Sequence, residues 1–444
     1  MYRFEDKEIA DSRRTAIEVA GSPFVLTGDN GTTKVDVIAV VGKGGTSLCY
    51  KGVKRGSGLE GDKAVIIKEY YPVELPEGSK FAYRRGEDGK LKIEVLEEYL
   101  GKLEERKQII EEELRKRDNN VKRECMTAQN LFFDVIRSEN SADMDQVRVF
   151  KKGDENSTTY VIIDTQEGCT LRNLLNRRAE GTFYFGLKGA IKYVRELLSV
   201  LEKLMFEKNY VHGDLKPENI YISGNLEAVF SAEDREVNIK ILDFGSVFCK
   251  EDYRYEDINQ EDINYQEKIE KAAAEIMANE GLGYASSGYK SPQITRRINA
   301  RNNYYANPRS IINAEELVRS TKNVDESADC YSIMQIFFEL IIGRVYPGDG
   351  SLTSYELKKL LRKNEKEINI KYLKSIVAFL EKMSSKMVNE HYKTPKEIRK
   401  DIAILEEIYT GGGHPSVMLE KTERKQDTTE IESVLFGEID EIKL

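Results

Sequence analysis

Three histidines, five scattered cysteines and no long apolar run set the first limits on this 444-residue chain. Cys49, Cys125, Cys169, Cys249 and Cys330 are odd in number and form no C-x-x-C pair, the pattern of reduced thiols rather than of a disulfide framework. With only His212, His391 and His414 to join them, a His/Cys zinc site is not expected. No apolar run approaches the roughly 18 residues that a membrane span needs. The first residues, Met-Tyr-Arg-Phe-Glu-Asp-Lys-Glu, have no hydrophobic secretion core. An excess of positive charge is missing too. Lys and Arg number 68 against 77 Asp and Glu, a net charge of −9, which argues against a general nucleic-acid or anionic-membrane surface. These absences leave a cytoplasmic protein as the expectation. What is present is 40% hydrophobic and 33% charged, a globular composition. The length suits one large two-lobed unit or two to three average domains, and no internal repeat is visible.

The organising stretch is Tyr-Val-His-Gly-Asp-Leu-Lys-Pro-Glu-Asn-Ile, from Tyr210 to Ile220. Before it, Ala190, Ile191, Val194, Leu197, Leu198, Leu201 and Leu204 recur at three- and four-residue spacing, the pattern of a buried helical face. After it come Ile220, Tyr221 and Ile222, a Gly224-Asn225 turn signal, and a second strand that alternates Val237, Ile239 and Ile241. That strand runs straight into Asp243-Phe244-Gly245. A helix thus presents a polar loop, and two strands bring a second acidic residue close to it. Asp214, Asn219 and Asp243 are the set that phosphoryl transfer requires: one carboxylate orients a hydroxyl, while the other carboxylate and the amide oxygen hold Mg²⁺ on the phosphates. With Lys216 two residues after Asp214, the stretch resembles the catalytic core of the eukaryotic-like protein serine/threonine kinases. Either motif alone recurs by chance; together, in order and on fitting elements, they carry the resemblance.

That resemblance implies an α+β, two-lobed fold with a small, mainly β N-lobe and a larger, mainly α C-lobe. A strand-like run from Val35 to Val41 leads into Gly42-Lys-Gly44-Gly45-Thr-Ser47-Leu-Cys49-Tyr, which alone reads equally well as an ordinary hairpin loop. Ala64-Val-Ile-Ile-Lys68 is a buried-looking strand with a single lysine, placed as the family's phosphate-anchoring lysine. In this reading Gly42, Gly44, Gly45 and Ser47 cradle the nucleotide phosphates and Lys68 contacts the α- and β-phosphates. Ser47 stands where the family has its third glycine, and Cys49 where a valine packs on adenine. Glu124 is the leading candidate to hold Lys68, with Glu112 and Glu113 behind it. Gly86 to Lys90 reads as a turn, and Leu91 to Arg117 as a charged, helix-favouring run with a solvated face. Thr159 to Leu171 reads as a strand, a polar connector and a helix start. By resemblance it is the hinge, where Asp164 to Gln166 would pair with the adenine edge and Ile163 would gate the pocket behind it.

Past Gly245, Ser286-Ser-Gly-Tyr-Lys-Ser-Pro-Gln293 resembles the substrate-positioning end of an activation segment, with Ser286 bonding the catalytic aspartate and lysine. The family's closing Ala-Pro-Glu reads Ser291-Pro292-Gln293, and its arginine partner falls at His391, so both halves of the usual buried ion pair change together. Ala328 to Gly343 is apolar nearly all round, hence a buried helix. At its start Asp329 is either a plain N-cap or the family's anchor for the catalytic loop. The expected divisions are an extension over 1–35, an N-lobe over 36–165 with an insertion at 70–118, a C-lobe over 166–410, and an acidic tail over 411–444. Further insertions fall at 250–283 and 294–325.

The resemblance implies an ATP- and Mg²⁺-dependent enzyme that phosphorylates serine or threonine hydroxyls of a protein. Its catalytic residues would be Asp214, Lys216, Asn219 and Ser286, and its metal ligands Asn219 and Asp243. Two alternatives remain. His212-Gly213-Asp214 in place of His-Arg-Asp is similar to small-molecule phosphotransferases of the aminoglycoside and choline kinase type, and Ser47 favours a nucleotide-binding pseudokinase scaffold. Gly213 also removes the arginine that would receive an activation-segment phosphate. From Lys290 to Arg309 there are five basic and no acidic residues. This run either recruits an acidic protein substrate or neutralises the chain's own acidic segments, with nucleic acid a distant third. A partner phosphatase or phosphopeptide-binding protein is a further expectation drawn from the resemblance; no nucleic-acid or membrane partner is expected.

Overall fold

The computed structural model describes residues 24–28, 31–43, 47–54, 61–70, 81–85, 91–95, 159–164, 168–179, 187–223, 238–250, 258, 261–279, 288–347, 352–364 and 370–410. Strands β1 (Phe24–Gly28), β2 (Gly31–Lys43), β3 (Ser47–Lys54) and β4 (Lys63–Tyr70) form a run of antiparallel neighbours. A separate antiparallel pair follows, β5 (Phe81–Arg85) and β6 (Leu91–Val95); the turn expected over Gly86 to Lys90 lies outside the described residues. Strand β7 (Thr159–Asp164) then returns to pair with β4 and completes a five-stranded sheet in the order β1-β2-β3-β4-β7. Two findings differ from the sequence reading. Strand β1 and the start of β2 fall within residues 1–35 and join this sheet. The run expected to be helical from Leu91 begins as a strand, because Leu91, Ile93 and Val95 alternate with Lys92 and Glu94 at the period of two that suits a pleat.

After the short strand β8 (Gly168–Thr170) the chain turns helical. Helix α1 (Leu171–Ala179) starts where the Thr170 hydroxyl accepts from the Asn173 N–H at 3.3 Å. Helix α2 (Leu187–Leu204) buries the stripe expected of it, from Ala190 through Leu204. Next come β9 (Tyr210–Val211), β10 (Ile220–Ser223), β11 (Asn238–Ile241) and β12 (Phe248–Cys249). β10 lies between β11 and β8, while β9 pairs with β12, so the loop after β9 and the loop after β11 emerge side by side.

The remaining helices are α3 (Tyr265–Asn279), α4 (Pro292–Ala306), α5 (Ile311–Lys322), α6 (Ser327–Ile342), α7 (Ser354–Asn364), α8 (Ile370–Val388) and α9 (Pro395–Thr410). Apolar α6 is buried on every face but that of Tyr331 and forms the centre of the main core with α2, α8 and α9. It ends at Gly343, whose φ of 84° closes the helix in the left-handed conformation that glycine adopts without strain. A second core joins α3, α4 and α5, and reaches Val211 and Phe248 on the β9–β12 pair. The architecture is therefore the expected α+β one, a strand-rich N-terminal part and a larger helical part. No helix among the described residues is long and apolar enough to cross a membrane. Cys169, Cys249 and Cys330 are free thiols.

Candidate active site

The loop after β9 is held from beneath. Asp329, on the first turn of α6 and fully buried, accepts the His212 N–H at 2.6 Å and the Gly213 N–H at 3.0 Å. It is thus the loop's anchor; the residue at the helix cap is Glu326. Burial raises the Asp329 carboxyl above its ordinary range, while the two N–H donors and His212 act in the opposite direction. The His212 ring is also buried and makes two contacts, Nε2 to the Leu242 carbonyl at 3.1 Å and Nδ1 with the Asp214 N–H at 3.4 Å. Gly213 sits at φ 76°, a left-handed conformation that an arginine would hold only with strain.

Three residues of the loop converge. The Lys216 ammonium donates to Asp214 Oδ2 at 2.6 Å, and the Asn219 amide donates to the Asp214 carbonyl at 2.8 Å. Asn219 is buried in a 3-10 turn that starts at Pro217. Its carbonyl accepts the Leu242 N–H at 2.8 Å, which ties the catalytic loop to the residue before Asp243. With its amide nitrogen turned to Asp214, Asn219 keeps Oδ1 as a ligating oxygen.

Asp243 meets the strand-rich part of the molecule. Its Oδ1 accepts from the Lys68 ammonium at 2.8 Å, across the gap between β4 and the end of β11. Burial acts to raise this carboxyl, but the charge and hydrogen bond of Lys68, with Lys216 and His212 beyond, outweigh it and bring the pKa down to about 2. Asp243 itself lies at φ 62°, one of two described non-glycine residues at positive φ, which marks a locally strained backbone. Lys68 is buried and stands on one rung of the sheet: Gly42 pairs with Cys49, Cys49 with Lys68, and Lys68 with Val161. The end of the glycine-rich turn and the lysine are therefore in register.

Of the remaining site residues, Gly42 is the last but one of β2, Ser47 opens β3 and Asp164 ends β7, paired with Val65. Gly44, Gly45, Glu124, Gln166 and Ser286, like Glu112 and Glu113, lie outside the described residues. Among the described residues no cluster of three or more His, Cys, Asp or Glu is placed to hold a metal. The donor set Asp243 plus Asn219 nevertheless fits Mg²⁺, which takes one or two protein ligands and completes its shell with phosphate and water.

A second constellation lies beside the catalytic loop and has no signal in the sequence. Arg172, on α1, donates to Glu218 at 2.8 Å, to Glu339 at 2.7 Å and to the Tyr289 hydroxyl at 2.7 Å. Tyr289 in turn donates to Glu339, and its carbonyl accepts from Ser332 at 2.8 Å. Burial alone lowers the pKa of Arg172, but its bonds to Glu339 and Glu218 raise it above the ordinary value. Burial and the bond to Glu339 likewise push the Tyr289 hydroxyl up. An arginine at a helix start shows no periodicity that would point to this role.

The ion pair that the family closes with glutamate and arginine is replaced. Gln293 donates to Ser327 at 2.9 Å and lies 3.4 Å from Asp325, which also accepts the Ser327 N–H at 3.0 Å. His391 packs edge-on to Tyr331, with 6.1 Å between ring centroids, and its pKa is lowered by burial and by Lys393.

No family model matches the chain. A Mycoplasma pneumoniae protein with a provisional serine/threonine-protein kinase name is 26% identical over 208 residues, 46% of this chain and 41% of that protein. A Mycoplasma genitalium protein with the same provisional name is 23% identical over 235 residues, 53% of this chain and 46% of that one. A Caenorhabditis elegans serine/threonine-protein kinase is 34% identical over 77 residues, 17% of this chain and 8% of its own length. The chain thus spans less than half the length of each of these curated relatives. Among solved structures, the BubR1 kinase domain aligns with a TM-score of 0.43 at 13% identity, over 89% of this chain and 86% of that one. Vaccinia related kinase 3 aligns with a TM-score of 0.41 at 10% identity, over 90% and 96%. In sequence the chain is similar, over about half of its length, to proteins provisionally named serine/threonine-protein kinases.

Proposed function

We propose that this chain is a protein kinase that uses ATP and Mg²⁺ to phosphorylate serine or threonine hydroxyls of a protein substrate. The observation that carries the reading is the pairing of Lys68 with Asp243 at 2.8 Å beside a loop on which Asp214 contacts both Lys216 and Asn219. Asn219 and Asp243 would hold Mg²⁺, which neutralises phosphate charge, and Lys68 would grip the α- and β-phosphates once released from Asp243. Asp214 would position the attacking hydroxyl and take its proton as the new O–P bond forms and the bond from the γ-phosphorus to the bridging oxygen breaks, with ADP leaving. Lys216, on the same carboxylate, stands where a cation steadies the transferring group.

A protein substrate is favoured over a small molecule by the treatment of Tyr289. Its hydroxyl and carbonyl are both fixed on α6, so the chain leading into α4 is held as a firm ledge beside the loop. The test is transfer of γ-labelled phosphate to a generic protein by wild type and by Asp214→Asn, analysed for phosphoserine and phosphothreonine. Equal transfer by the two proteins overturns the proposal.

A further inference from the structure

The basic run after Tyr289 lines a groove. Its volume is about 520 Å³, and its walls include Lys290, Thr295, Arg296, Asn299, Asn303 and, from α5, Glu316. Thr295, Asn299 and Asn303 recur every four residues and form one row along α4. Arg297, which the sequence grouped with this basic run, is fully buried in the second core and takes no part in the surface. Lys290, Arg296 and Arg309 make no ion pair among the described residues, and the side chain of Arg296 is exposed. Glu316, the one acid of the groove, is bonded to Arg319. The groove is therefore cationic at the Lys290 end and lined with amides beyond it.

Its position gives it a use. Lys290 directly follows Tyr289, whose hydroxyl bonds Arg172, and Arg172 bonds Glu218 on the catalytic loop at 2.8 Å. The acid that the catalytic loop turns outward is thus already matched by a cation of the chain itself. Among the described residues lining the groove the one carboxylate, Glu316, is bonded to Arg319, whereas an acidic segment meets Lys290 and Arg296.

We propose that this groove docks an extended acidic segment of the protein substrate, with its carboxylates at the Lys290–Arg296 end and its backbone against the Asn299 and Asn303 amides. This rests on the kinase reading above and adds the substrate's chemical class. From Pro292 to Asn303 the groove runs about 17 Å along α4 at the helical rise of 1.5 Å per residue, which accommodates about five extended residues.

The test is fluorescence anisotropy with the full chain, without nucleotide, using labelled peptides in which a serine adjoins a run of glutamates, glutamines or lysines. The glutamate peptide should bind at least about tenfold more tightly than the glutamine peptide, and Arg296→Glu should weaken it by about tenfold. Asn299→Asp, a second exposed site, should weaken it in the same direction, with both variants melting as wild type does. In transfer assays Arg296→Glu should raise KM for the glutamate peptide and leave kcat and ATP hydrolysis unchanged. Equal binding of glutamate and glutamine peptides overturns the inference, as does equal binding by wild type and Arg296→Glu. So does displacement of the peptide by an oligonucleotide of the same charge at the same concentration, or peptide-free Arg296→Glu that exposes residues 414–444 to protease. Tight binding without phosphoryl transfer keeps the groove and removes the kinase reading; transfer without a preference for acid does the reverse.

Discussion

At the scale of residues, the two aspartates carry separable duties. Asp214 is bonded to Lys216 and Asn219, while Asp243 is held ionised by Lys68. Asp214→Asn should therefore keep Mg²⁺-dependent ATP binding and lose about 10²–10⁴ in transfer rate, the usual cost of removing a positioned base. Asp243→Ala should lose the extra thermal stabilisation that Mg²⁺ adds to ATP alone; a melt in which the two nucleotide conditions stay distinct in that variant would contradict the assignment. Arg172 acts through other residues. Replacing it with methionine leaves Glu339, whose side chain is 8% exposed, without its cation. A loss of about 3 kcal/mol in urea unfolding is expected, the scale for stranding one partner of a buried pair. Arg172→Lys should recover only part of it, since an ammonium cannot hold three acceptors in a planar fork.

Among the elements, α3 carries the prediction about regulation. It lies in the long stretch between Gly245 and Tyr289 and buries Ala272, Ala273 and Ile276 in the core shared with α4 and α5. The Tyr265 hydroxyl donates to Glu315 of α5 at 2.9 Å, and at the start of the stretch Lys250 pairs with Glu326. Hydrophobic packing thus holds α3, and, if Asp214 is the catalytic aspartate as proposed, Gly213 offers no arginine beside it for a phosphate to pair with. Phosphatase-treated protein should keep full activity. A large drop after treatment, reversed by self-phosphorylation, would show that charge and not packing sets the segment. Conversely, Ile276→Ala should cost about 2–4 kcal/mol, the range for opening a cavity in a packed core, and should lower transfer along with stability.

Across the whole molecule, the described link between the sheet and the helical part at the site is Lys68–Asp243, and it titrates. The ordinary Asp value of 3.8 falls to about 2 in the folded state. A carboxyl with a depressed folded pKa contributes stability that is fully present above 3.8 and is lost as pH falls toward about 2. Melting curves between pH 5 and pH 2 should show that loss, and Asp243→Asn should flatten it. Because the Asp243 side chain is 37% exposed, solvent screening reduces the effect to on the order of 1 kcal/mol. An acid limb of unchanged slope in Asp243→Asn would place the titration elsewhere.

Legible in the sequence alone were the polar loop around Asp214, the apolar helix before it, the strand carrying Lys68 and the buried helix that starts near Asp329. Each is a local pattern: motif spacing on the loop, a period of two on the strands, a three- and four-residue stripe on α2. A local pattern is obscured where charge dominates, as at Leu91–Val95, whose alternation sits within a run of Glu and Lys. Tertiary structure alone decided the rest. Arg296 and Arg297 are neighbours of identical chemistry, and only the packing of α4 on α3 and α5 leaves one exposed and the other at 0%. Arg172 and Glu339 are 167 positions apart, and nothing in either neighbourhood announces the other. Such pairs exist because α1 and α6 dock on one core, and docking depends on the shape of whole buried faces, which no short stretch of sequence contains.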